Sequence, residues 1–231
     1  MDRDARKMFD LGLQLYEKGR VKEALVELTK VAKLYPDYAD VHNALGLVYA
    51  MLGDYEKASD SYKKAVELNP NYIEAYVNLA IVYNEQCKFE EAIKSFETAA
   101  RLETKDRGFS PQLRAKLANT YASLGDTYTE LGDYKKARDE YERAVEVSPN
   151  YLDIKLKLAR TNINLHDYKR AEDVLRDVLK RNPNYSEAKI SLGLCLYKRN
   201  KVADAAALWE EILKKDPDNT KAKAYLNMLK R

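Results

Sequence analysis

The sequence has little of what catalytic, secreted or membrane-spanning chains display. It holds 2 cysteines in 231 residues, Cys87 and Cys195, without metal-ligand spacing. Two thiols make no disulfide framework, so the expected setting is a reducing one, the cytoplasm. Histidine is equally scarce. Neither His42 nor His166 has a Cys, Asp or Glu at the i, i+4 spacing of a helical metal site. There is no glycine-rich phosphate loop, and acid pairs such as Glu90-Glu91 and Glu210-Glu211 fall on outer helix faces. The expectation is no catalytic residue, no metal and no cofactor, hence not an enzyme. No apolar run approaches the ~20 residues needed to cross a bilayer, so no membrane insertion is expected. The opening MDRDARKMFDLG lacks the apolar core of a secretory signal. Nowhere does the period-two alternation of a half-buried strand appear.

Glycine and proline are also few, and their placement is informative. Of 8 glycines only Gly108, and of 6 prolines only Pro111, depart from a fixed spacing. The spacing is clearest from Asp40 to Tyr72, in Leu45-Gly46, Tyr49, Gly53-Asp54-Tyr55, Ala58, Tyr62, Ala65 and Pro70. Val41, Ala44, Leu45, Val48, Tyr49 and Leu52 follow the i, i+3, i+4, i+7 pattern of an amphipathic helix. Gly53 suits the positive φ of a helix C-cap, and Pro70 stops the second helix. Gly46, Ala58 and Ala65 are small where two helices must close on each other, with Tyr62 filling the space between.

These residues resemble the tetratricopeptide repeat (TPR), a helix–turn–helix unit with a period of about 34 residues. The resemblance implies an all-α fold: a right-handed α-solenoid of six TPR repeats plus a C-terminal capping helix, forming one array over 1–231. From the Leu-Gly pairs the repeats span 5–38, 39–72, 73–106, 118–151, 152–185 and 186–219, with an insertion at 107–117 and the capping helix at 220–231. Within the insertion, Ser110-Pro111 predicts an N-cap followed by proline at the first helical position. The first helix of the fourth repeat then starts about two turns early, with Leu113, Leu117, Tyr121 and Leu124 on one face, after a loop at Gly108-Phe109. The fifth repeat departs furthest, with Asn162, His166, Leu175 and Val178 at signature places.

The resemblance also implies a groove lined by first helices, at places two, five, nine, twelve and thirteen of each repeat. In the first three repeats these places include Phe9, Leu13, Leu47, Met51, Val77 and Ile81. Basic residues follow later: Lys157, Arg160 and Lys198. The charge divides similarly, with 15 basic against 19 acidic residues over 1–106 (net −4) and 25 against 18 in the remainder (net +7). The expected role is a non-catalytic scaffold or adaptor binding a partner peptide or amphipathic helix; the alternative is a homo-oligomer module. The Lys/Asn/Asn/Lys/Arg carboxylate clamp of chaperone-binding TPRs is missing, since only Asn78 matches it. An asparagine ladder would need Asn at place six repeatedly, and again only Asn78 has it. Asp153 and Glu187 interrupt the basic stripe that a nucleic-acid reader would need, so no nucleic acid is expected.

Overall fold

The structure, a computed structural model, describes residues 3–103 and 110–229, and these form thirteen α-helices. The loop expected at Gly108-Phe109 lies outside the described residues. Helices pair along the chain: α1 (Arg3–Glu17) with α2 (Val21–Leu34), α3 (Ala39–Met51) with α4 (Tyr55–Leu68), and α5 (Ile73–Glu85) with α6 (Phe89–Glu103). Then come α7 (Pro111–Glu130) and α8 (Tyr134–Val147), α9 (Leu152–Asn164) with α10 (Tyr168–Arg181), and α11 (Ser186–Lys198) with α12 (Val202–Lys215). The last, α13 (Thr220–Leu229), packs on α12 through buried Ala222 and a stack of Tyr225 on Trp209 at 5.0 Å. Two compact units are resolved, residues 1–120 and 121–231, their boundary falling inside α7.

Local chemistry sets the helix ends. Five second helices stop one residue before the one preceding Pro36, Pro70, Pro149, Pro183 and Pro217. The residue before a proline is pushed out of the α region by the ring. Accordingly ψ is +68° at Tyr35, +91° at Asn69, +83° at Ser148, +87° at Asn182 and +83° at Asp216. The turn inside each described pair needs one left-handed residue. Gly19, Gly53 and Gly132 supply it with φ of 73–77°, while Cys87, His166 and Asn200 adopt φ of 56–62° at the same place. After that residue Asp54, Asp133 and Asp167 cap the next helix, each accepting from the backbone N–H three residues on.

The early start of α7 follows from Ser110, whose hydroxyl accepts from the Leu113 N–H at 3.3 Å, with Pro111 as first helical residue. Leu113, Leu117, Tyr121 and Leu124 are all buried, giving the extension its own apolar seam.

Each pair closes on one contact. At place eight of the first helix sits a residue with almost no side chain, and at place 24 of the second a large one. Leu28, Tyr62, Phe96, Tyr141, Leu175 and Trp209 hold place 24, none more than 2 % exposed. A Cβ built on Gly12 would lie 2.7 Å from Leu28, on Gly46 2.5 Å from Tyr62, on Gly125 2.7 Å from Tyr141, and on Gly193 2.4 Å from Trp209. Ala80 and Ala159 hold place eight in the other two pairs, whose large residues are Phe96 and Leu175. Place 20 is alanine in all six pairs, from Ala24 to Ala205, each fully buried.

The fifth repeat buries Ala159, Ala171 and Leu175 as the other repeats bury their equivalents. Val178 is fully buried where Val31 and Ile212 stand in other repeats. Its departure is Asn162, 1 % exposed, whose Oδ1 has no hydrogen-bond partner among the described residues. Leu15 and Leu196 occupy the equivalent place. His42, at the fourth place of its repeat, is half-buried, its Nε2 donating to the Pro36 carbonyl at 2.6 Å. At the same fourth place of the last two repeats stand Lys155 and Lys189, with side chains only 10 % exposed. Lys155 pairs with Asp177, and Lys189 with Glu211 at 2.6 Å. Glu172, its side chain 7 % exposed, is gripped by Arg176 at 2.8 Å and by Arg199, with Lys201 at 4.0 Å.

Three outcomes follow from this packing. Gly46→Ala should lower the urea midpoint. Overpacking against Tyr62 costs about 1–3 kcal/mol, more than the roughly 0.5–1 kcal/mol gained when glycine leaves a helix; a higher midpoint would show that the ring yields freely. Asn162→Leu is nearly isosteric and removes a buried carbonyl without a partner, so it should stabilise by about 1 kcal/mol; a lower midpoint would mean the amide is satisfied.

The third concerns acid. Hydrogen bonds from Lys155 and Lys189 hold the Asp177 and Glu211 carboxyls below their ordinary range. Burial alone would raise Glu172, but the hydrogen bond from Arg176 and the charges of Arg176, Lys201 and Arg199 outweigh it and lower it. Depressed carboxyls contribute stability that is complete above their unfolded values, about 3.9 for Asp and 4.3 for Glu, and lost as pH falls through the folded ones. The urea midpoint should therefore drop below roughly pH 4, less steeply in Asp177→Asn. Parallel pH profiles for the two proteins would refute the assignment.

Candidate partner-binding site

In the first unit, first helices α1, α3 and α5 bring their inner places together. A concavity of about 270 Å³ is lined by Arg6, Phe9 and Leu13 of α1, by Asp40, Asn43, Ala44 and Leu47 of α3, and by Tyr72 and Glu74. These are places two, five, six and nine of successive repeats, with the last residue of the second repeat. Phe9 is 6 % exposed and forms the floor; Leu13 and Leu47 are half-buried.

A polar chain runs along one wall. Asn43 donates from Nδ2 to the Tyr72 hydroxyl at 3.3 Å and accepts on Oδ1 from Asn78 at 3.2 Å. Burial, then the charge of Asp40 and its hydrogen bond with the phenol, push Tyr72 well above its ordinary pKa. The phenol stands between Asp40 and Asn43 as a hydrogen-bonded group of the wall. Arg6 is engaged on its own helix, with Asp10 at 3.2 Å, and lies 5.7 Å over the Phe9 ring.

The second unit carries its own concavity, about 290 Å³, lined by Arg160, Ile163, Asn164, Ile190, Ser191, Leu194, Lys221 and Tyr225. Its floor is aliphatic and its rim basic. The rim charge is largely compensated, because Glu187 pairs with Arg160 at 2.7 Å and with Lys221 at 3.8 Å.

Of the residues expected to face a partner, Phe9, Leu13 and Leu47 converge in the first concavity and Arg160 lines the second. Met51, Val77, Ile81, Lys157 and Lys198 line neither. Met51 is 57 % exposed, while Val77 and Ile81 are half-buried. Lys157 is engaged within the fold: its Nζ donates to Asp126 at 2.6 Å, and the other oxygen of Asp126 accepts from Tyr141 at 2.7 Å. Lys198 is exposed, 6.0 Å from the Tyr197 ring. Sequence reasoning passed over Asp40, Glu74 and Lys221. All three stand at place two of the repeat frame, but as charged residues they carry no apolar signal. Tyr72 lies outside the groove places of that frame, because it closes a repeat.

Among the described residues no group of three or more His, Cys, Asp or Glu could hold a metal, and no helix is long and apolar enough to cross a membrane. Cys195 is buried, which pushes its thiol up to about 12, whereas Cys87 is exposed at its turn.

Comparison with known proteins agrees with this architecture. Family models described as tetratricopeptide repeat match residues 39–72 and 71–150, and one described as TPR repeat matches 12–53. The TPR domain of cytochrome c-type biogenesis protein H matches 112–223. No curated protein sequence matches the chain. Among solved structures, YrrB, described as a TPR protein with an unusual peptide-binding site, is 20% identical with a TM-score of 0.56 over 86% of this chain and 96% of its own. MamA from Desulfovibrio magneticus RS-1 is 21% identical with a TM-score of 0.54 over 80% and 98%. At such identities the likeness is one of fold. Matched along its length by these models and built of the helix pairs described above, the chain belongs to the tetratricopeptide repeat family.

Proposed function

We propose that this chain is a non-catalytic scaffold that holds a partner protein, as a peptide or amphipathic helix, against the inner face of its first helices. The observation carrying this reading is the convergence of Phe9, Leu13, Ala44 and Leu47 on a concavity open to solvent. Apolar side chains at the base of a groove are where binding energy concentrates. An amphipathic helix presents matching anchors at i, i+3, i+4 and i+7. The peptide-binding site described for YrrB supports the same use of the fold. The reading includes a cytoplasmic setting and one working array over residues 1–231.

Self-assembly is the competing use of the same face. Light scattering over a concentration series separates the two: a strict monomer favours an external partner, and a stable dimer or larger favours assembly.

For a partner recovered with the intact chain, Leu47→Ala should weaken binding by more than ~1 kcal/mol, roughly fivefold, with little salt dependence. Leu47 is half-buried and its truncation leaves the contact of Tyr62 on Gly46 untouched, so circular dichroism should be unchanged. An unaltered affinity with an intact fold would move the binding surface to the outer face or to an array end.

A further inference from the structure

Asp40 and Glu74 stand at place two of α3 and α5, on the rim of the first concavity, and both are exposed. Other charged groups lining the two concavities are engaged by neighbours. Arg6 on the same rim pairs with Asp10, and the place-two acid of the sixth repeat, Glu187, pairs with Arg160 and Lys221. Asp40 and Glu74 differ: among the described residues neither has a cation within ion-pair distance, and Asp40 has only the Tyr72 hydroxyl. Two uncompensated carboxylates therefore flank an apolar floor. The surrounding chain reinforces them, since residues 1–106 carry net charge −4. With Arg6 drawn to Asp10, the open charge on this rim is acidic, and an excess of one sign raises the local concentration of the opposite sign.

We infer that the first concavity selects a cationic amphipathic segment, in which a bulky aliphatic residue enters over Phe9, Leu13 and Leu47 while Lys or Arg beside it meets Asp40 and Glu74. At about 270 Å³ the space is below the ~300–1,000 Å³ of small-molecule pockets and suits side chains of a passing segment. The aliphatic anchor supplies most of the affinity. The carboxylates set orientation, speed encounter and reject acidic sequences, which would face repulsion and desolvation with no compensating pair. The inference rests on the groove reading proposed above and adds the chemical class of the partner.

The test uses the full chain and a fluorescein-labelled twelve-residue helical peptide with leucine at i, i+3, i+4 and i+7 and lysine between. Two control peptides replace every lysine by glutamate or every leucine by serine. Anisotropy should show binding of the Leu/Lys probe and at least tenfold weaker binding of both controls. The double variant Asp40→Asn/Glu74→Gln should lose at least tenfold in affinity for the Leu/Lys probe at about 10 mM salt. The loss should shrink toward twofold at about 500 mM as screening shortens the field. Both substitutions are on exposed, near-isosteric groups, and circular dichroism checks the fold.

Equal or tighter binding of the glutamate control, indifference to the double variant, or no binding of the Leu/Lys probe up to millimolar concentration would each overturn the inference. If Leu47→Ala still weakens whichever probe binds, the groove reading survives that failure; if it weakens none, both fall. Concentration-dependent self-association that the double variant abolishes would make the occupant a second copy and overturn the assignment to an external partner.

Discussion

The fold depends on one contact repeated along the chain: a large side chain of a second helix driven against a first-helix residue that has almost no side chain. Helix axes normally lie about 8–10 Å apart according to the side chains between them. Removing the side chain at place eight lets Leu28, Tyr62, Tyr141 and Trp209 seat directly on backbone, and a Cβ there would come within 2.4–2.7 Å of them. Alanine at place 20 in every pair extends the close approach. Burial of a side chain the size of Tyr or Trp is among the larger favourable terms a helix pair can have. Because each pair presents its remaining apolar faces to its neighbour, the same contact also sets how α4 meets α5 and how α10 meets α11.

With the pairs closed, the inner face of the first helices is free for another purpose. Some positions there, such as Phe9, Leu156 and Ile190, belong to the core, and the more open ones diverge. In the first unit they hold an apolar floor under an acidic rim; in the second, an aliphatic floor under a basic rim that Glu187 largely neutralises. Part of the inner face has been taken over by the fold, as where Asp126, Lys157 and Tyr141 bind one another. A charge on the inner face is thus available to a partner only when its neighbours leave it unpaired.

The second unit also uses charge inside its packing. Lys155 and Lys189 take a place that Tyr76 and Tyr121 hold earlier, and each reaches an acid on its own second helix. A largely buried lysine is tolerated because the carboxylate comes with it; removing one partner would leave the other stranded. Glu172, with Arg176, Arg199 and Lys201 around it, ties the fifth helix pair to the turn of the sixth.

The sequence by itself determined the helices, their pairing and their ends, because these rest on local or periodic chemistry. A proline ends a helix wherever it falls, Ser110-Pro111 starts one, and a small residue 16 places before a large one announces their contact. Turn residues were legible as a place even where glycine gave way to Cys87, His166 or Asn200, since the spacing held around them. Which inner residues meet was also visible in outline: the repeat frame brought Phe9, Leu13 and Leu47 together. Only the tertiary structure decided which charges remain open. Lys157 and Arg160 read as free cations in the sequence, and both are paired across 31 and 27 residues of chain, with Asp126 and Glu187. Asp40 and Glu74 looked like any other surface acids, and they are the acids lining the first concavity, where among the described residues neither has a cation within ion-pair distance. Ion pairing between separate helices depends on distances of a few ångströms that no periodicity encodes, and so the helix pairs could be read along the chain while the chemistry of the groove could not.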